Sequence, residues 1–196
     1  MIDSNTNYTH SLNFFLKNKC FYVKDSFNNI RKLIEDIHTY AFYIDKYHIP
    51  HICLVDLSGV LHYFIYKDST LSSINKFKLN ILSKKIKNFS LYTLDDSLNI
   101  FFHINLNNKS SNIYHINFNF YNDKVSHNIV KNVSRYSKYK IKSSNNHLIC
   151  CYNDSSINSN SLISIYFNDL NKSWEKLNKL DTIYLLFKFC SSLKYE

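Results

Sequence analysis

The chain has 196 residues, 45% of them hydrophobic and 20% charged, with a formal net charge of +9. That length and balance fit one globular domain with room for a buried core, and exclude a disordered chain. The excess charge comes from scattered lysines, and only Arg31 and Arg135 are arginines; nucleic-acid readers lean on arginine forks, so nucleic acid is an unfavoured partner.

Along the chain the dominant signal is a step of 48 residues. Tyr43, Leu91, Tyr139 and Phe187 keep it, as do Ile52, Ile100 and Leu148, and Phe77, Val125 and Trp174 follow it within one residue. Internal repeats of this length mark solenoids, propellers or arrays. The first 50 residues fit least well. Cys20-Phe-Tyr-Val23 followed by Lys24-Asp25-Ser26 echoes Phe64-Ile-Tyr66 followed by Lys67-Asp68-Ser69, and Tyr40-Ala-Phe-Tyr-Ile44 takes a fourth-strand place. Between them, residues 28–38 carry apolar residues at both strand and helix spacing, and strand is the preferred reading. No first strand stands out before residue 12.

Each later repeat reads as four strands. The first is a nearly continuous apolar run, His51-Ile-Cys-Leu-Val55, Asn99-Ile-Phe-Phe-His103 or His147-Leu-Ile-Cys-Cys151, as suits a strand covered on both faces. Turn residues follow at Asp56-Leu-Ser-Gly59, Asn105-Leu-Asn-Asn108 and Asn153-Asp-Ser-Ser156. The second strand is Leu61-His-Tyr-Phe-Ile-Tyr66, Ile113-Tyr-His-Ile-Asn-Phe118 or Leu162-Ile-Ser-Ile-Tyr-Phe167, so each first-and-second pair is an expected hairpin. A polar turn then leads to Phe77, Val125 or Trp174 at the start of a third strand. The fourth is Phe89-Ser-Leu-Tyr-Thr93, Ser137-Lys-Tyr-Lys-Ile141 or Ile183-Tyr-Leu-Leu-Phe187. With one glycine, Gly59, and one proline, Pro50, turns fall to Asn, Asp and Ser, which bond their own main chain.

The expected fold is therefore all-β: a propeller-like array of about four four-stranded antiparallel units, at approximately 1–49, 50–97, 98–145 and 146–196, forming one domain. Three closures are open to it: a four-bladed ring, part of a larger ring, or a homodimer completing eight blades. The phrases His51-Ile-Cys-Leu-Val-Asp-Leu-Ser-Gly-Val-Leu-His-Tyr-Phe-Ile-Tyr66 and Leu98-Asn-Ile-Phe-Phe-His-Ile104 resemble β-propellers, more narrowly uncharacterised propeller-type repeat proteins of low-GC bacteria. The Asn, Lys, Ile and Tyr excess matches an AT-rich genome. The Trp-Asp, Gly-Gly and Asp-box marks of named propeller classes are absent.

A single glycine excludes a P-loop, a dinucleotide fingerprint and a Gly-x-Ser-x-Gly elbow, all of which need close backbone approach at several glycines. Two arginines cannot supply the arginine triad of sialidase-type propellers. No cofactor and no metal site are expected: the groups His48, His51, Cys53 and His147, Cys150, Cys151 lack a Cys-x-x-Cys pair. Adjacent Asp95-Asp96 and Glu35-Asp36 point to opposite strand faces rather than forming an acid/base couple. An odd number of cysteines, five, at irregular spacing argues against a disulfide framework. The start, Met-Ile-Asp-Ser-Asn-Thr-Asn, has no apolar run and no stretch is long enough to span a bilayer, so a soluble cytoplasmic protein is expected.

Function then reads as a non-catalytic binding module, with a carbohydrate or a protein as ligand. The candidate ligand residues are Asp56, Asn105 and Asn153 in the turns after the first strands, and Trp174, whose ring can stack on a sugar but whose register also places it in a core. The competing readings are a fragment of a larger hydrolytic propeller enzyme and a protein-interaction scaffold.

Overall fold

A computed structural model describes residues 12–94, 96–134, 139–144, 147–153, 162–168 and 171–177. These form two compact units, residues 1–84 and 85–196. The first unit contains β1 (Asn13–Lys17), β2 (Cys20–Lys24) and β3 (Ile30–Ile34) in one sheet, and β4 (Ile37–Ile44), β5 (Pro50–Asp56), β6 (Val60–Lys67) and β7 (Thr70–Lys78) in another. The second unit contains β8 (Ile86–Leu94), β9 (Ser97–Asn105), β10 (Ser110–Asn119) and β11 (Val125–Ser134), then β12 (Lys140–Ser144), β13 (His147–Asn153), β14 (Leu162–Asn168) and β15 (Ser173–Lys176). Every pairing is antiparallel between consecutive strands. The chain is thus all-β and propeller-like, each four-stranded meander having the strand content and order of one blade. No helix among the described residues is long and apolar enough to cross a membrane.

The apolar runs form the second strand of each four-stranded sheet. Ile52, Ile100 and Leu148, the 48-step series, are all 0% exposed at matching places in β5, β9 and β13. The core of the first unit gathers Phe14, Phe21, Ile37, Leu54, Phe64 and Tyr66 from both its sheets. That of the second gathers Phe101, Ile113, Val133, Leu148, Cys150 and Phe167. Between residues 28 and 38 the chain makes a strand, a turn with Asp36 at φ 59°, and the start of β4. The helical spacing there was incidental, because Leu33, Ile34 and Ile37 face the core from two separate strands.

Two expectations are corrected. The strand expected to close each repeat opens the next sheet instead: Tyr40–Ile44 pairs with β5, and Leu91 pairs with Ile100 on β9. The connections between these partners are short, and a short connection pairs antiparallel neighbours. Ile183–Phe187 lies outside the described residues. The second correction concerns Phe77. Val125 begins β11 opposite Phe118, and Trp174 faces Phe167, but Phe77 sits near the far end of β7 opposite Leu61. Asp68 and Ser69, both at positive φ, close β6 to β7 in two residues, so the third strand starts at Thr70. Such a mirror-type turn matches the twist of a hairpin and needs no longer loop.

Gly59 sits where no other residue fits well. Its φ is +87°, and a Cβ there would lie 2.7 Å from the Ile81 carbonyl oxygen. Elsewhere left-handed turn positions are filled mostly by Asn and Asp, including Asn18, Asn28, Asp36, Asp68 and Asn80, the residues that tolerate this region best after glycine.

Candidate functional site

The sequence-derived candidates Asp56, Asn105 and Asn153 are the last residues of β5, β9 and β13, so the repeat puts them at one equivalent strand end. Asp56 is engaged by its own turn. Its carboxylate accepts from Val60 N at 2.9 Å, Ser58 Oγ at 2.6 Å and His62 Nε2 at 2.9 Å. Partial burial opposes the charged form, but His62, Ser58 and Val60 outweigh it and hold the pKa down to about 2. Asn105 is exposed. Trp174 is half-buried against the core of the second unit, edge-on to Phe101 and His115, and its Nε1–H donates to His115 Nδ1 at 3.2 Å.

Behind the strand entries runs a polar pair that the repeat also predicts. His51 and Asn99 occupy the same place on β5 and β9, and Tyr63 and His115 the same place on β6 and β10. In the first unit the Tyr63 hydroxyl donates to His51 Nδ1 at 2.7 Å, and His51 Nε2–H donates to Asp45 at 3.2 Å. In the second, His115 Nε2–H donates to Asn99 Oδ1 at 2.9 Å, where Asn117 Nδ2 also donates. With Trp174 donating to its other nitrogen, His115 is held as the neutral ring, and burial lowers its pKa to about 3. These groups are closed to ligands: Tyr63 is 0% and His115 1% exposed. Burial likewise raises the thiols of Cys53, Cys150 and Cys151, which suits inert core residues rather than nucleophiles. Among the described residues no group of three or more His, Cys, Asp or Glu side chains could hold a metal ion.

An open site lies at the other end of the first unit. The turns at 18–19, 35–36 and 56–59 are tied to one another through Ile37 N to Lys19 O and Leu57 N to Asp36 O. At the opposite strand ends, the β2–β3, β4–β5 and β6–β7 connections frame a cleft of about 540 Å³. Its floor is apolar, with Leu12, Val23, Ile49, Pro50 and Tyr66; its rim carries Phe27, Asn29, Arg31, His48, Lys67 and Asp68. That size and mix of an apolar floor with a few polar groups is typical of small-ligand pockets.

Two of the framing turns are one device used twice. In Asp25-Ser-Phe-Asn-Asn29, Asp25 Oδ1 accepts from the main-chain N–H of Phe27 and Asn29, each at 2.9 Å, and Asn28 takes φ 66°. In Asp45-Lys-Tyr-His-Ile49, Asp45 Oδ1 accepts from Tyr47 at 2.9 Å and Ile49 at 2.8 Å, and His48 takes φ 61°. Both lift an aromatic ring off the surface: Phe27 is 74% and Tyr47 70% exposed. The β10–β11 turn in the second unit repeats the plan, with Asn119 Oδ1 accepting from Tyr121 and Asn122, and Tyr121 83% exposed. The signal was legible as Asp/Asn-x-aromatic at 25–27, 45–47 and 119–121, but a reading for turns alone passed over the third residue. Arg31 was missed too, because arginine was weighed by number rather than by place.

Arg31 extends from β3 to the neighbouring sheet. Its guanidinium donates to the Tyr66 hydroxyl at 3.1 Å and to the Ser69 carbonyl, and lies 5.9 Å from the Tyr66 ring centroid. The rim therefore offers a planar cationic fork, amide and carboxylate groups, and an exposed ring.

No family model and no curated protein matches this chain. Similar solved structures include the N-terminal domain of Nup159, with TM-score 0.43 and 10% identity over 85% of this chain and 52% of that one. An exo-β-1,3-galactanase from Phanerochaete chrysosporium, solved with galactose, gives TM-score 0.42 and 9% identity over 86% and 49%. A S. cerevisiae complex of Dbp5 bound to Nup159, Gle1, IP6 and ADP gives 0.43 and 8% over 87% and 55%. The chain spans about half the length of these proteins.

Proposed function

We propose that the chain is a non-catalytic propeller-type binding module whose ligand is a carbohydrate, held over Phe27 in the cleft of the first unit. The observation that carries this is the rim itself: an exposed aromatic ring on a turn fixed by Asp25, beside Asn29, Arg31 and Asp68. A sugar has an apolar C–H face for a ring and hydroxyls for amides, carboxylates and guanidinium. A turn pinned by its own side chain holds the ring in place before binding, which lowers the ordering cost. Tyr47 in the same unit is a second exposed ring on a turn of the same kind. Phe27 replaces Trp174 as the platform in this reading, because Trp174 is packed against Phe101 and His115. A cytoplasmic location and a single four-repeat domain belong to the same proposal.

The strand ends at Asp56 in the first unit and at Asn105 and Asn153 in the second are the alternative candidate positions, favoured by their equivalence in three sheets. Two variants separate the surfaces in a titration against neutral oligosaccharides. Phe27→Ala is expected to weaken binding by about tenfold, the scale of one lost ring contact, while the triple alanine variant at 56, 105 and 153 leaves it unchanged. The reverse pattern would move the site to the strand ends, loss in neither would put the sugar site elsewhere on the chain, and no binding by the wild type would leave the protein-interaction scaffold as the better reading.

A further inference from the structure

We infer that the carbohydrate taken by this cleft is an acidic one, a glycan bearing carboxylates, and that Arg31 receives the carboxylate. This rests on the carbohydrate reading above and adds the charge class of the ligand.

Asp25 is committed to its turn: Oδ1 accepts from two main-chain N–H groups and Oδ2 from Asn29 Nδ2 at 3.0 Å. Arg31 is different. Its side chain is fixed by the Tyr66 hydroxyl, the Ser69 carbonyl and the face of the Tyr66 ring, all of them neutral partners. Among the described residues no carboxylate pairs with it; the ion pairs there are Lys32–Glu35, His51–Asp45 and His62–Asp56. One nitrogen thus anchors the guanidinium while the remaining N–H donors of the fork have no such engagement. With Nη2 taken by Tyr66 and Ser69, a guanidinium held in place this way still offers Nε and Nη1 for single charge-assisted hydrogen bonds to a carboxylate.

Charges of both signs line the cleft, Arg31 and Lys67 against Asp25 and Asp68. Lys67 follows Tyr66 directly and lines the same cleft, exposed at the end of β6. Asp68 is the one rim carboxylate left, on the two-residue turn beyond Lys67, placed to accept from sugar hydroxyls. Phe27 supplies the ring on the other side of the rim. A uronic acid combines what these groups ask for: one carboxylate, an apolar ring face and several hydroxyls. A bare anion such as phosphate would use Arg31 and Lys67 but leave Phe27 and the apolar floor without a role.

The test is a calorimetric titration of the full chain with a glucuronate-containing oligosaccharide, its neutral glucose counterpart and inorganic phosphate. The wild-type chain is expected to bind the acidic sugar about tenfold more tightly than the neutral one, the scale of one charge-assisted hydrogen bond. That preference should shrink as salt is raised. Arg31→Gln should abolish the preference, weakening the acidic sugar by about tenfold more than the neutral one. Because Arg31 also ties β3 to the β6–β7 turn, Lys67→Gln, on an exposed side chain, serves as a second variant and should reduce the preference without altering the melting temperature. Equal affinity for the two sugars, or a preference unaffected by both variants, would overturn the inference and leave the carbohydrate reading standing. Binding of phosphate with no binding of either sugar would overturn both.

Discussion

At the scale of single residues, the scarcity of glycine makes the one that remains informative. Gly59 closes the β5–β6 turn at φ +87°, with its N–H donating to Asp56 O at 3.2 Å and its carbonyl accepting from Leu79 N at 3.3 Å. A methyl group there meets the Ile81 carbonyl oxygen, main-chain rather than a flexible side chain. Gly59→Ala is therefore expected to cost at least the left-handed backbone penalty of ~1–2 kcal/mol, with the added crowding on top. Chemical denaturation of the two proteins measures it, and an unchanged midpoint would contradict the described turn. Asn28, Asp36 and Asp68 hold comparable φ values without glycine, and their carbonyl-bearing side chains explain why so few glycines suffice.

At the scale of elements, the hairpin pairs were legible in the sequence and the sheet boundaries were not. Runs such as His51–Val55 and Leu61–Tyr66 carry their own pattern, and a short polar link dictates that they pair. Which flanking strand completes a sheet is set by turn length, and two-residue turns at 18–19 and 68–69 leave little trace in composition. A 48-residue step also fixes the spacing of repeats without fixing where one begins. The cleft was not legible: the turn candidates Asp56, Asn105 and Asn153 are not among its lining, and the consequence of locking the turns at Asp25 and Asp45, an aromatic ring lifted into solvent, appears only when main-chain donors are counted.

The polar pairs inside the sheets give an element-scale prediction in pH. His115, buried between Asn99 and Trp174, has its pKa lowered from 6.5 to about 3. The unfolded chain takes up that proton near 6.5 and the folded chain does not. The stability from this pair is therefore whole above about pH 6.5 and is lost as pH falls toward 3, by on the order of a few kcal/mol. Asp56, lowered from 3.8 to about 2 by its turn donors, adds a further loss below pH 4. Stability measured from pH 7.5 to 4 should fall in the wild type and fall less steeply in His115→Gln, which starts lower because the Trp174 contact is altered. Parallel slopes in the two proteins would contradict the buried, neutral histidine.

At the scale of the whole molecule, repeated sheets, turn-borne aromatic rings and a cleft in which Arg31 has only neutral partners among the described residues support the proposal of a module that binds a glycan and leaves it intact. The most direct measurement is native mass spectrometry of the full chain incubated with acidic and neutral oligosaccharides, which reads assembly, occupancy and the fate of the ligand together. The predicted result is a protein peak, at the 23.4 kDa monomer mass or its double, shifted by whole, uncleaved oligosaccharides. Free chain with no glycan attached, or glycan fragments accumulating in solution, would contradict the account.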